Sequence, residues 1–347
     1  MTCIEVLDVQ NAQPTACATY TQGHNNTLRL QWNTPFNQTA LPYALFPFQG
    51  QLNRSRTEVE KPPAKYIERG SFIVRVRCPK PLSEDVKTAI WAWVNFGGLG
   101  ARTRRGCGSL YCKELAPKNR NDIRAWFQKN TVPHSPSARD WPVLPSDFLV
   151  GLPTQKPFDA WQSAIEVLQQ FLQGVNFARN PGNQPNRPGR SRWPEPETNR
   201  SVKGSRSREH LRFREVPDDA FPRAELGLPI VFHYKDYGEP PDTVLYPANG
   251  LDGQRDRMAS PLIIKPLVLA DGQSVPMIIL LVTRPLAAVD LREKQGNNEV
   301  SLTLPLTTVI RSAKLATYPN SPLAASSTGS ALEAFYAFAK RKGFTQL

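Results

Sequence analysis

Proline governs what this chain can build. There are 33 in 347 residues, about twice the usual share, and each fixes φ and removes a backbone donor. Many connections must therefore be stiff and irregular, with regular elements fitted between them. The length suffices for two ordinary domains and a sizeable core, and the 40% apolar content is normal for a globular chain.

Two alternating runs predict half-buried strands, TLRLQWN at 27–33 and SFIVRVRC at 71–78. In the second, Phe72, Val74 and Val76 share one face, while Ile73, Arg75 and Arg77 share the other. A helix follows over 83–96, with Ser83 as cap, Glu84 and Asp85 in its first turn, and Val86, Ile90 and Trp93 at helical spacing. Next comes the stretch FGGLGARTRRGCGSL at 96–110, then an expected short strand over 109–115. Further helices are expected over 121–129 and 159–173, the latter capped by Asp159 and stopped by Gly174.

Residues 179–214 carry Arg179, Arg187, Arg190, Arg192, Arg200, Lys203, Arg206, Arg208, Arg212 and Arg214 against only Glu195, Glu197 and Glu209. Five prolines between Pro181 and Pro196 predict that most of this segment is loop. GLPIVFHY at 227–234 reads as strand, and two apolar runs, 261–269 and 275–283, flank a turn at Asp271-Gly272. The final helix has the clearest ends: a capping box of Ser330 and Glu333, Lys340 to Lys342 in the last turn, and Gly343 beyond it.

The 96–110 stretch places Arg102, Arg104 and Arg105 between Gly97, Gly98, Gly100 and Gly106, Gly108. Glycine lets backbone N–H groups approach phosphate oxygens, and the planar fork of arginine suits them. The dinucleotide pattern fails because Thr103 stands where glycine is needed, and no Gly-Lys-Ser/Thr follows. A nucleic-acid backbone fits better than a nucleotide cofactor. A solvated glycine turn, or one that covers acidic protein surface, would carry the same residues.

Net charge points the same way. An excess of +13 and a pI near 9.7 call for an anionic partner, nucleic acid before membrane. The longest uncharged apolar run, 277–282, is far too short to span a bilayer, and the first ten residues lack the form of a signal peptide. Five scattered cysteines without a C-x-x-C pair indicate reduced thiols in a cytoplasmic protein, with neither disulfide framework nor zinc site.

A helix followed by FGGLGARTRRGCGSL resembles the glycine-rich signature of the RAMP superfamily of CRISPR-associated proteins, and within it the subunit-one family of the Cmr module, the type III-B effector complex. YALFPFQG at 43–50, RSRWPEPETNR at 190–200, LGLPIVFHY at 226–234 and RMASPLIIKPL at 257–267 agree with it in order. The resemblance implies an α+β chain of two ferredoxin-like, RRM-related domains, over 1–130 and 131–347, the second with a basic proline-rich insertion near 179–214. It implies a non-catalytic, RNA-binding subunit without cofactor or metal, whose partners are guide RNA, complementary target RNA and other Cmr-type subunits. The family normally opens with a strand and helix that this sequence lacks, so its first domain is expected to be incomplete at the N-terminus.

The RNA-facing residues implied are Gly97, Gly98, Gly100, Arg102, Arg104, Arg105, Gly106 and Gly108 in the loop. Arg190, Arg192, Trp193 and Arg200 would form a second surface, with Trp193 stacking on bases, and Arg257 and Lys265 are weaker candidates. A core tryptophan in an irregular basic loop is the competing reading of Trp193. His24, His134, His210 and His233 show no metal spacing. An endoribonuclease using His210 or His233 as general acid or base is the alternative from another class. A protein scaffold whose basic loop binds an acidic partner is a third.

Overall fold

The computed structural model describes residues 2–37, 39–131, 141–183, 189–203, 220–234, 238–248, 256–286, 288–295, 298–302, 310 and 312–347. His134, Arg187, Arg206, Arg208, Glu209, His210, Arg212 and Arg214 lie outside them. The described chain is α+β, with small antiparallel sheets. It divides into two compact units: Met1–Asp122 with Thr154–Glu166 and Lys265–Ser274, and Ile123–Pro153 with Val167–Ile264 and Val275–Leu347. Among the described residues no helix is long and apolar enough to cross a membrane.

In the first unit the Cys3–Asn11 strand pairs antiparallel with Gly70–Arg77, setting Ile4 opposite Val76 and Val6 opposite Val74. The alternation at 71–78 anticipates the second strand but nothing in the sequence pattern announces the first. Its apolar residues fall at Ile4, Val6, Leu7 and Val9, because a bulge between Leu7 and Gln10, with Asp8 at φ 49°, shifts the phase. Opposed residues share a face, so Ile4, Val6, Val74 and Val76 form one apolar surface. Phe72 meets Trp93 of the Ser83–Phe96 helix across 6.4 Å, yet Ile4 and Val6 remain 67% and 58% exposed.

That helix is as expected in extent, but its cap is not. A 3-10 turn over Lys80–Leu82 runs directly into it, so Ser83 is already helical and makes no capping bond. Its buried residues are Trp91, Val94, Asn95 and Phe96, toward the C-terminal end, while Val86, Ile90 and Trp93 are only half-buried. The Leu28–Trp32 strand pairs with Ala18–Gln22 in a separate two-stranded sheet.

The expected strand over 109–115 does not form. Gly108 is left-handed, Ser109 Oγ turns back to donate to the Gly106 carbonyl, and Lys113–Leu115 closes a 3-10 turn. The buried Asn95 amide takes the Leu115 carbonyl, removing an acceptor a strand would need. Among the described residues, the strands of this unit that precede Asp122 pair only in twos.

The second unit is built around aromatic rings. Phe171, fully buried near the end of the Pro157–Gln173 helix, lies 5.2 Å from Trp193, 5.2 Å from Phe335 and 5.5 Å from Phe338. Its helix begins at Pro157 rather than Asp159, since proline is well placed in a first turn. The helix expected over 121–129 forms as Ile123–Asn130. The apolar runs around Asp271-Gly272 form the Leu262–Val268 and Ser274–Leu280 strands, with Gly272 at φ 89° in the turn. An antiparallel sheet runs in the order Ile230–Phe232, Thr243–Pro247, Val289–Gln295, Asn298–Leu302, and packs Phe232, Leu245 and Leu291 against Phe221. The expected strand at 227–234 is thus only its centre.

Within the proline-rich segment, most of which was expected to be loop, a helix forms over Glu195–Lys203. Pro196 sits in its first turn, where the missing N–H costs nothing, and Glu195 and Glu197 complement the dipole.

The Ala331–Arg341 helix keeps half of its anticipated capping box. Ser330 Oγ accepts from the Glu333 N–H, but the Glu333 carboxylate turns to the Ser327 N–H and the Ser326, Ser327 and Thr328 hydroxyls. Glu225 supplies the missing anion, accepting from Ser330 Oγ and from the Ala331 N–H at 2.7 and 2.8 Å.

Two outcomes test this packing. Trp91, 3% exposed and edge-on to Phe96, should lose about 3–5 kcal/mol of stability on replacement by alanine. Val6→Thr should change it by no more than about 0.5 kcal/mol, and similar losses in urea denaturation would mean that the Ile4–Val6 face is covered. The backbone hydrogen bond from Ser327 leads those holding the Glu333 carboxyl down to about 2 from 4.5. A depressed carboxyl contributes stability above its unfolded pKa and loses it as pH falls through the folded one. The stability gap between parent and Glu333→Gln should therefore be full at pH 7 and close progressively below about 4.5. A gap independent of pH would contradict the assignment.

Candidate nucleic-acid interface

The glycine–arginine loop begins where the Ser83–Phe96 helix stops, with the Gly97 N–H still bonded to the Trp93 carbonyl at 2.9 Å. Its neck is closed by the Leu99 N–H donating to the Gly108 carbonyl at 2.9 Å. Glycine is obligatory there: at φ 61°, a Cβ on Gly108 would stand 1.8 Å from the Leu99 carbonyl oxygen. On the far side Gly106, at φ 86°, presses on Trp161, where a Cβ would fall 2.3 Å from the indole nitrogen. That nitrogen donates to the Arg105 carbonyl at 2.6 Å. Trp161 thus belongs to the loop as well as to its own helix.

The five glycines of the loop differ in the space around them. Gly98, Gly106 and Gly108 are tight against the protein's own atoms, and Gly97 against Trp93, whereas Gly100 alone of these has open space where a side chain would be. Most of the glycine in this motif therefore shapes the loop.

Arg102 sits in the left-handed region at φ 60° and opens a 3-10 turn over Thr103–Arg105. Its guanidinium lies 5.4 Å from the centroid of the Phe46 ring, and its buried Nε has no hydrogen-bond partner among the described residues. Burial lowers Arg102 and Arg104 from the usual arginine range. Arg105 is held down to about 10, first by burial and then by the Arg102 charge, with Arg104 adding to it and Tyr43 working the other way. All three guanidinium groups are partly stripped of water, and the charges of Arg102 and Arg104 both bear on Arg105. Burial also pushes the neighbouring Cys107 thiol up to about 11.

Beneath the loop, Lys265 is 1% exposed and its Nζ donates to the Gly97 carbonyl at 2.9 Å. Burial brings it down to about 8. The sequence made it a weak RNA-facing candidate; its place makes it the peg that fixes where helix turns into loop.

The second expected surface is built differently. Arg190 bonds Glu197 at 2.9 Å, and Arg200 bonds both Glu197 at 2.6 Å and Glu239 at 2.7 Å. Arg192 donates to Asn180 Oδ1 at 2.7 Å and to the Asn176 carbonyl. Trp193 is 2% exposed, edge-on to Phe171, with its indole N–H toward the Leu172 carbonyl and the Arg223 guanidinium 5.6 Å from its ring. A ring so enclosed has no face for a base, and these residues hold the Glu195–Lys203 helix to its neighbours. Arg257 is exposed. His233 is exposed and bonded through Nδ1 to Asp242 at 2.7 Å. Among the described residues no group of three His, Cys, Asp or Glu side chains gathers as a metal site.

Phe46 and Trp161 are the site residues that sequence reasoning missed. Trp161 falls on a helical pattern and reads as core. Phe46 carries a faint signal, an aromatic that continues the apolar run Leu41, Ala44, Leu45 past the point where a five-residue helix can bury it.

The glycines divide into two classes that substitution can separate. Gly108→Ala should disrupt the loop and cost more than about 2 kcal/mol, because backbone atoms on both sides would have to move. Gly100→Ala, strained at φ 83° but free of collisions, should cost about 1 kcal/mol. Thermal denaturation of the two variants checks this, and a reversed order would refute the assignment of the neck.

Comparison with solved structures gives a likeness to the crystal structure of Cmr1 from Pyrococcus furiosus in its apo form, at 14% identity, over 86% of this chain and 72% of that one, with a TM-score of 0.37. No curated protein matches the sequence significantly. The RAMP superfamily model matches residues 18–111, a stretch that holds the Leu28–Trp32 and Gly70–Arg77 strands, the Ser83–Phe96 helix and the whole arginine loop. It is this part of the chain, loop included, that is similar to the RAMP superfamily.

Proposed function

We propose that the chain is a non-catalytic, RNA-binding subunit of a guide-RNA-loaded type III-B CRISPR effector complex, working in the cytoplasm to help capture complementary target RNA. Its partners in this reading are guide and target RNA and the other Cmr-type subunits, and its two units are two RAMP-like domains. The observation that carries it is the arginine loop inside the RAMP-matching stretch. Arg102, Arg104 and Arg105 crowd their charges at a partly dehydrated surface, and a phosphate there would relieve the repulsion while gaining charge-assisted hydrogen bonds. Gly100, with open space where a side chain would be, is the glycine best placed to let a phosphate approach the backbone.

The second surface contributes less in this reading. Arg190, Arg192 and Arg200 are engaged by Glu197, Glu239 and Asn180, which leaves Arg257 as the exposed cation of the expected set. The endoribonuclease reading keeps one supporting feature: Asp242 is hydrogen-bonded to His233.

Replacing Arg102, Arg104 and Arg105 together by alanine should weaken binding about equally for unrelated RNA sequences. The log–log salt slope should fall by about 0.7 for each single-strand phosphate that the variant no longer neutralises. An unchanged slope in a folded variant would assign these arginines to structure or to an acidic protein partner. Purified protein should not cut RNA above background, and cleavage abolished by His233→Ala would favour the nuclease.

A further inference from the structure

Phe46 lies in a place that folding does not require. It follows a short helix, Leu41–Leu45, whose Leu41, Ala44 and Leu45 are all buried, and it points outward with 56% of its surface exposed. A single exposed apolar side chain is ordinary. Two further features set this one apart. Its backbone is held on several sides: the Phe46 carbonyl accepts from the Gln49 N–H, the Phe48 carbonyl from the Ala64 N–H at 2.8 Å, and the Gln49 carbonyl from the Tyr20 hydroxyl at 2.8 Å. And it is the ring on which Arg102 rests, the arginine whose buried Nε is unpartnered among the described residues.

We infer that Phe46 is a stacking platform for one unpaired base of a single-stranded RNA, with Arg102 holding the phosphate beside it. This rests on the reading of the arginine loop as a phosphate site, and it names the form of nucleic acid that the site selects. A nucleotide carries a flat π-face and a charge a short distance apart; the ring and the guanidinium offer complements to both, 5.4 Å from one another. Base–aromatic stacking tolerates any sequence, because every base has such a face. A duplex keeps its bases paired and stacked inside, so it can satisfy the arginines but not the ring. The rigid backbone around Phe46 means the platform exists before RNA arrives, and ordering it costs little on binding.

The test uses the full chain and a single-stranded RNA carrying 2-aminopurine, alongside the same strand in a duplex. Phe46→Leu keeps an apolar side chain of similar size and removes the π-face. It should weaken single-strand binding at least about fivefold, the low end for one stacked base, and abolish the quenching of 2-aminopurine. The salt slope and duplex binding should stay as in the parent, since the arginines still neutralise the same phosphates. Phe46→Tyr should restore both affinity and quenching. Single-strand binding by Phe46→Leu equal to the parent's, with quenching intact, would overturn the platform while leaving the arginine site standing. If instead the arginine triple variant binds as the parent does, the phosphate site itself fails and the platform with it.

Discussion

The hydrogen bond from the Trp161 indole to the Arg105 carbonyl is the point on which the candidate site depends. It pins the arginine turn to a helix far away in sequence, and it does so at contact distance only because Gly106 has no side chain. The Leu99–Gly108 bond closes the neck, and Lys265 grips the carbonyl from which the loop departs. A mobile loop would let three guanidinium groups drift apart into water. Held in this way, they lose part of their hydration, and under the proposed function little ordering would be left to do when an anion binds.

Arginine serves two opposite purposes here. In the loop Arg102 rests beside the Phe46 ring, and its charge bears on Arg105. In the Arg190–Arg200 region it is matched to Glu197, Glu239 and Asn180, and the charge that looked available on paper is consumed by folding. Nothing in the residue type separates the two cases. The separation comes from carboxylates that the fold delivers, one of them, Glu239, 39 positions beyond Arg200.

The N-terminal half of the first unit has a different character. Its strands pair two by two, and one apolar face, led by Ile4 and Val6, stays largely in water although Phe72 on it meets Trp93. The helix behind it buries its C-terminal residues far better than its first turns. Stability in this unit is therefore concentrated near the root of the arginine loop, around Trp91, Asn95 and Phe96, which is also where the loop most needs a firm base.

Elements whose signals are local could be read directly from the order of residues. The alternation at 71–78, the helix ending at Gly97, the turn at Asp271-Gly272 and the stop at Gly343 depend on neighbours within a few residues, so pattern and propensity suffice. The arginine loop was legible too, since glycine and arginine at that density have few other uses. Other features came into being only with the folded chain. A bulge silenced the strand at 3–11 by shifting its phase, and the expected strand at 109–115 dissolved when Asn95 took the Leu115 carbonyl. Glu239, remote in the chain, took up the charge of Arg200 on the Glu195–Lys203 helix, and packing buried Trp193 while leaving Phe46 exposed. Burial and partnership are set by residues remote in the chain, and no local pattern carries that information.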